Sequence, residues 1–434
     1  MNNTLNIIGG QPLYGEINLR GAKNALPKIM VASLLSDEES IISNVSDISD
    51  VEIVTEMIEL MGGEVERVEP GTIKISSRKL KLASAKDLHK IAGTSRIPIL
   101  FAGPLLHRLG RAILPSLGGC EIGTRPVDFH LAALQSLGAK EHDIEGGYEL
   151  SADHLKGAKI ELNYPSVMAT EQIIISSTLA DGVTQIKNAA VEPEIIDLIC
   201  VLQKMGAIIS VDTDRVITIT GVKKLRGFKH KVMPDRIEAG SWACAAAATD
   251  GKIFVRGARQ ADMMAFLNAF RQIGGEYNVS DEGIEFWRGK HTQPISLETD
   301  VHPGFMTDWQ QPFTVLLTQI EGLSTVHETV YEDRFGFTKV LNEMGANIQL
   351  YQNCLGKLPC RFAQRNYKHS AVISGPTKLK GQTIKVPDLR AGFSYVIAAL
   401  VAEGQTTITN IELIERGYED FENKLRSIGA QIVE

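Results

Sequence analysis

Ser427-Ile428-Gly429-Ala430-Gln431-Ile432-Val433 is the stretch that decides how the rest of the chain is read. An apolar residue ends a helical pattern. A glycine then stands where a left-handed residue would close the helix, and a short alternating strand begins at once. The same apolar-Gly-Gly/Ala signature recurs as Met61-Gly62-Gly63, Leu137-Gly138-Ala139, Met205-Gly206-Ala207, Ile273-Gly274-Gly275 and Met344-Gly345-Ala346. Six copies at broadly even spacing form an internal repeat, in which one helix–turn–strand unit is used again and again. Short β-branched segments precede the helices, among them Thr184-Gln185-Ile186, Lys252-Ile253-Phe254-Val255 and Thr406-Thr407-Ile408-Thr409.

A second marker, close to Leu-x-Gly-x-x-x-apolar, falls at Gly15, Gly157, Gly227 and Gly381. Eight positions further on stand Lys23, Pro165, Asp235 and Leu389, each where a strand hands over to a helix. Such junctions aim backbone N–H groups and the positive helix end at a bound anion, so ligand chemistry is expected there. The expected architecture is α/β, with six units in two sets of three. A large doubly wound sheet also fits the alternation of strands and helices.

The chain has 434 residues, enough for two domains of ordinary size. Hydrophobic content of 44% and charged content of 22% describe a globular protein without disorder. A net charge of −7 argues against a broad nucleic-acid-binding face. An anionic substrate would need a cleft whose local charge opposes that sign. No apolar stretch approaches the roughly 18 residues of a membrane span. Met1-Asn2-Asn3-Thr4 lacks the pattern of a secretory signal, so a cytoplasmic address is expected.

The five cysteines are scattered, which argues against a disulfide framework. Cys200 and Cys244 lie on helical stretches and are expected to be buried as small hydrophobes. Cys354 and Cys360 belong, with His369, to an insertion running from Tyr351 to Ser370 in the longest repeat interval. Their spacing matches no standard zinc pattern, so a surface hairpin is expected in preference to a metal site, which stays the alternative. Cys120 differs. It sits in Gly118-Gly119-Cys120-Glu121-Ile122-Gly123-Thr124-Arg125-Pro126-Val127-Asp128, where the glycines leave little to bury it. Arg108, Arg111 and Arg125 lie nearby in sequence, and cationic neighbours favour thiolate.

That cysteine segment, Gly21-Ala22-Lys23-Asn24, Thr307-Asp308, Glu332-Asp333-Arg334, Asp388-Leu389-Arg390 and Arg416-Gly417-Tyr418-Glu419 follow one another in a telling order. Together they resemble the UDP-N-acetylglucosamine 1-carboxyvinyltransferase family over essentially the whole chain. The resemblance implies two inside-out α/β barrels of three units each. One domain would comprise residues 1–21 plus 234–434 and the other residues 22–233. It further implies transfer of the enolpyruvyl group of phosphoenolpyruvate to the 3-hydroxyl of UDP-N-acetylglucosamine, the first committed step of peptidoglycan synthesis. The partners would be those two small molecules, with no metal or organic cofactor.

Residue by residue, the resemblance gives Lys23, Arg125 and Arg416 to phosphoenolpyruvate, with Arg390 a further active-site arginine. Cys120 matches the general acid and the target of fosfomycin-type epoxides. Asp308 matches the carboxylate that accepts the proton of the sugar hydroxyl, although it also stands where it could cap a helix. Asn24, Arg96, Arg125, Pro126, Val127, Asp128, Phe129, Ser166, Val167, Asp308 and Val330 match contacts to the nucleotide sugar. Three departures bear on the acceptor: Pro27 is displaced by one place, Tyr164 stands where a lysine is common, and Met168 stands where a glycine is common. A paralogue using another nucleotide sugar is one alternative, and a catalytically silent binding protein on the same scaffold is another. The shikimate-pathway enolpyruvyl transferase lacks the Gly-Gly-Cys segment.

Overall fold

All six repeat glycines are left-handed, with φ between +82° and +114° at Gly62, Gly138, Gly206, Gly274, Gly345 and Gly429. Each one turns the end of a surface helix into the strand that follows, for example Pro193–Met205 into Ile208–Val211 and Phe421–Ser427 into Gln431–Val433. The computed structural model describes residues 3–93, 95–115 and 128–433. These fall into two units: residues 3–20 with 234–433, and residues 21–115 with 128–233. The chain passes from one to the other at Arg20/Gly21 and again at Met233/Pro234.

Among the described residues each unit holds three sheets. In the first, the sheets are Tyr14–Asn18 with the strands of 252–288, Ser296–Glu298 with those of 322–375, and Thr383–Lys385 with Gln405–Thr409, Thr4–Ile8 and Gln431–Val433. Five of the six described sheets share one plan. A leading strand pairs parallel with the next, and two further strands are added antiparallel, as in Lys159–Glu161, Val183–Lys187, Ile217–Thr220 and Ile208–Val211. The sheet Arg111–Pro115, Gly147–Ser151 and Lys140–Ile144 shows only the three antiparallel strands among the described residues.

The second marker has a steric cause. A Cβ on Gly157 would lie 2.4 Å from the Val183 carbonyl oxygen, and one on Gly381 would lie 2.2 Å from that of Gln405. Only glycine lets the leading strand approach its neighbour so closely.

Helices line the interior of each unit. Arg236–Ala248 is buried along all thirteen residues, and it packs with Thr307–Leu317 and Leu389–Val401, which also touch each other. A helix buried on every side must be apolar or small on every side, and Ala243-Cys244-Ala245-Ala246-Ala247-Ala248 meets that demand. The other unit buries Leu26–Ser33 completely and most of Val167–Ser177, beside the helical run from Ile97 to Leu109. Pro27 falls in the first turn of its helix, where no N–H is required, so its displacement is accommodated. Sheets outside and helices inside make each unit an inside-out α/β barrel. Cys244 is fully buried as expected, whereas Cys200 is exposed because its side of the helix Pro193–Met205 faces away from the core. No helix among the described residues is long and apolar enough to cross a membrane.

Candidate active site

In the unit containing residues 234–433, three core helices carry the site, and two of them start from the marked junctions. Asp235 caps Arg236–Ala248 by accepting from Ile237 N (2.8 Å) and Glu238 N (3.0 Å). Asp388 caps Leu389–Val401 in the same way, through Arg390 N (2.9 Å) and Ala391 N (3.1 Å). The third helix, Thr307–Leu317, follows Met306 and has no side-chain cap. Asp308 therefore does not act as the N-cap. It lies within the first turn and points its carboxylate elsewhere.

That carboxylate meets two buried arginines. Arg334 Nη2 lies 3.4 Å and Arg390 Nε 3.6 Å from Asp308 Oδ1. Asp308 keeps 22% of its side-chain exposure while the arginines keep 3% and 7%, so the acid faces open space with the cations behind it. Burial works against the charge on Arg390, but Asp308, Tyr418 and Asp235 outweigh it and its pKa moves upward. Tyr418 stacks on Phe393 at 4.2 Å between ring centroids and shares a 2.9 Å hydrogen bond with Ser241. Burial pushes its phenol up to about 12, against the pull of Arg390. Arg416 stands two residues before this anchored ring, half-buried at the end of Glu412–Glu415.

Val330 is held by Glu328, a fully buried carboxylate that accepts from Val330 N (2.8 Å), Tyr331 N (3.0 Å), Thr299 Oγ1 (2.9 Å) and Thr307 Oγ1 (2.9 Å). Burial pushes the pKa of Glu328 upward, and these donors oppose the shift. One buried acid thus ties the Val330 turn to the residue beside Asp308.

In the other unit, Lys23 Nζ forms a 2.7 Å ion pair with Asp50, and Lys28 donates to the Asn24 carbonyl at 2.7 Å. Lys28 also faces the buried Glu171 at 3.9 Å. Arg96 begins the helical run at Ile97 and lies near enough to His130 to act on its charge. Burial first, then Arg96, pulls that imidazole down to about 4. Asp128 and Phe129 open the helix Asp128–Ser136 that carries His130. Ser166 precedes the helix Val167–Ser177 without capping it by its side chain, and Tyr164 stands two residues earlier. Met168 is half-buried and packs on the core.

Within its own unit the structure joins Asp308, Arg390 and, through Glu328, Val330. In the other unit it anchors Lys23 and Asn24 at one helix start, Arg96 at a second, Asp128 and Phe129 at the start of the helix whose His130 feels Arg96, and Ser166 and Val167 at a fourth. Cys120, Arg125, Pro126 and Val127 lie outside the described residues. Sequence reading gave no role to Asp50, His130, Glu328 or Arg334. Arg334 does stand in the Glu332-Asp333-Arg334 motif, whereas the other three carry no local signal. Each acts through a partner distant in sequence.

The arrangement is one for binding anions and moving protons, and comparison with known proteins gives its class. The profile of the family EPSP synthase (3-phosphoshikimate 1-carboxyvinyltransferase) matches residues 7–425. The fold is also that of enolpyruvyl transferase NikO from Streptomyces tendae (TM-score 0.87, 21% identity, 99% of this chain and 98% of that one). It is shared with EPSP synthase from Acinetobacter baumannii (TM-score 0.74, 17% identity, 99% and 100% covered). The class is therefore that of the carboxyvinyl transferases.

Closer relatives are named UDP-N-acetylglucosamine 1-carboxyvinyltransferase. That of Protochlamydia amoebophila is 50% identical over 99% of this chain and 93% of its own length. That of Chlamydia trachomatis is 46% identical (99% and 97%), and that of Gluconobacter oxydans 40% (98% and 98%). The chain belongs to the UDP-N-acetylglucosamine 1-carboxyvinyltransferase family.

Proposed function

We propose that this protein transfers the enolpyruvyl group of phosphoenolpyruvate to the 3-hydroxyl of UDP-N-acetylglucosamine and releases phosphate, a step of peptidoglycan synthesis. The observation that carries the reading is Asp308, a half-open carboxylate backed by two buried guanidinium groups in a chain of this family. The arginines fix the direction of the carboxylate, and a general base for a sugar hydroxyl must be so placed.

In the proposed reaction the sugar oxygen attacks the central carbon of phosphoenolpyruvate and Asp308 takes its proton. Cys120 delivers a proton to the methylene carbon, which becomes a methyl group in the tetrahedral adduct. Loss of phosphate and of one methyl proton then restores the double bond in the product. Lys23, Arg125 and Arg416 are assigned to the phosphate and carboxylate of the donor, with Arg390 behind Asp308. These anions need fixed cations once water is excluded. Asn24, Arg96, Pro126, Val127, Asp128, Phe129, Ser166, Val167 and Val330 are assigned to the nucleotide sugar. Tyr164 brings a hydrogen bond but no charge, which places more of the diphosphate on other cations.

Phosphate release from phosphoenolpyruvate tests the proposal, with UDP-N-acetylglucosamine, other UDP-sugars and shikimate 3-phosphate as rival acceptors. Release is expected with UDP-N-acetylglucosamine above the others, and release with none of them would leave only the binding-protein reading. Asp308→Asn should lower kcat by roughly 10²-fold or more, the range of general base catalysis. Cys120→Ser should slow turnover and abolish modification by fosfomycin, and undiminished labelling would remove Cys120 from the mechanism.

A further inference from the structure

The strands Asn347–Tyr351 and Ser370–Gly375 pair as an antiparallel hairpin, closed by Tyr351 opposite Ser370. The long segment between them forms no strand or helix. Loops of that length inside a compact domain are uncommon and need something to hold them. Its hydrophobic anchor is Phe362, 1% exposed, whose ring lies 6.2 Å from that of His369.

The loop also folds two thiols onto two imidazoles. One side-chain donor atom from each of His327, Cys354, Cys360 and His369 lies within 4.8 Å of all the others. His327 ends the strand Gly322–His327, His369 immediately precedes Ser370–Gly375, and both rings are buried. Cys354 Sγ is 3.4 Å from His369 Nε2. Tetrahedral zinc, with bonds of about 2.3 Å to sulfur and 2.0–2.1 Å to nitrogen, places such atoms roughly 3.5 Å apart. The remaining pairs need only small side-chain rotations to close on an ion.

The surrounding hydrogen bonds set both imidazoles for ligation. His369 Nδ1 lies 2.8 Å from the Tyr367 carbonyl and must donate to it, which leaves the Nε2 lone pair facing Cys354. Ser370 gives its hydroxyl proton to the Asn353 carbonyl (2.8 Å), so it accepts from His327 Nδ1 (2.8 Å). The network therefore assigns His327 the tautomer with its lone pair on Nε2. That nitrogen is buried and has no hydrogen-bond partner among the described residues, in a side chain 1% exposed. A buried acceptor left bare is costly, and a metal ion would satisfy it.

The backbone accommodates the same geometry. Glu298 accepts from Lys357 N and Leu358 N (2.8 Å each), pinning the loop over the sheet. A Cβ on Gly356 would lie 2.6 Å from His327 Cδ2, the ring carbon next to Nε2. Only glycine lets the Cys354 segment close on that ring.

From this geometry we infer that His327, Cys354, Cys360 and His369 bind one Zn2+ as a tetrahedral structural site that staples the 352–369 loop to its sheet. Two thiolates and two neutral imidazoles are the donor set of zinc rather than of magnesium or calcium. Binding forms two Zn–S and two Zn–N bonds and releases both thiol protons to solvent, so the loaded site is neutral. Sequence spacing hides the site because His327 comes from a strand far upstream of the other three ligands.

The test is the metal content of full-length protein expressed without a histidine tag and kept reduced. About one equivalent of zinc should survive gel filtration, as a four-ligand structural site requires. Cys354→Ser and Cys360→Ser should each lose it while keeping the far-UV circular dichroism of the parent. Apo protein titrated with Co2+ should develop the thiolate charge-transfer and d–d bands of tetrahedral cobalt, so the test does not depend on the variants folding. Chelation should open the loop to trypsin at Lys357, Arg361, Arg365 and Lys368, and zinc should close it again. Absence of zinc together with no cobalt thiolate band would overturn the inference. So would unchanged zinc in both serine variants, or a Cys354–Cys360 disulfide in metal-free protein alkylated at lysis.

Discussion

His130 gives one of the two barrels an acid limb in its stability. Burial, and then Arg96, lowers its pKa from 6.5 to about 4, so between those values the unfolded chain holds a proton that the folded one does not. Stability gained by keeping the ring neutral is fully present above pH 6.5 and is lost as pH falls towards 4, about 3 kcal/mol in all. The buried Glu171 works in the opposite sense. Its pKa is raised by burial, so its contribution is present in acid and lost as pH rises through and above the ordinary carboxyl range. Comparing wild type with His130→Gln cancels the Glu171 effect. The urea midpoint of the variant should fall less than that of wild type between pH 6.5 and 4, and parallel curves would rule the mechanism out. At this scale, sequence marks the chemical identity of Lys23, Asp308, Arg390 and Arg416. It is silent on Asp50 beside Lys23 and on Arg96 beside His130, because those neighbours are set by packing between separate elements.

The repeat helices end on glycine for two reasons of different strength. At Gly206, φ is +108° and a Cβ would meet nothing within 4 Å, so Gly206→Ala should cost only the left-handed strain, roughly 1–2 kcal/mol. At Gly274, φ is +89° and a Cβ would lie 2.1 Å from the His291 carbonyl oxygen, so strain is joined by a clash with backbone. Gly274→Ala should therefore lower the thermal midpoint clearly further than Gly206→Ala; equal shifts would show that the His291 segment yields freely. The left-handed turn was readable in the sequence because it needs only one residue type at one place. The clash was not, since His291 reaches Gly274 through the fold. The loop of 352–369 makes the same point: its cysteines were visible, but not the strand that supplies His327.

Each barrel has its own hydrophobic core, yet the chain divides them unequally. Residues 21–233 form one nearly continuous stretch, whereas residues 234–433 depend on the first twenty. Thr4–Ile8 fills an interior place in its sheet, between Gln405–Thr409 and Gln431–Val433, and Tyr14–Asn18 pairs with Lys252–Arg256. A fragment of residues 21–233 should unfold cooperatively in urea by far-UV circular dichroism. A fragment of residues 234–434 should show no such transition until residues 1–20 are supplied, and a native-like transition without them would refute this account. By itself, the sequence determined the repeating unit, the α/β class and the residue types brought to the chemistry, because periodicity, glycine caps and charge are local properties. Tertiary structure alone decided which charges meet, which carboxylate lies buried beneath the Val330 turn and which histidine completes the cysteine cluster. Those are contacts between elements far apart in the chain, and no spacing along it records them.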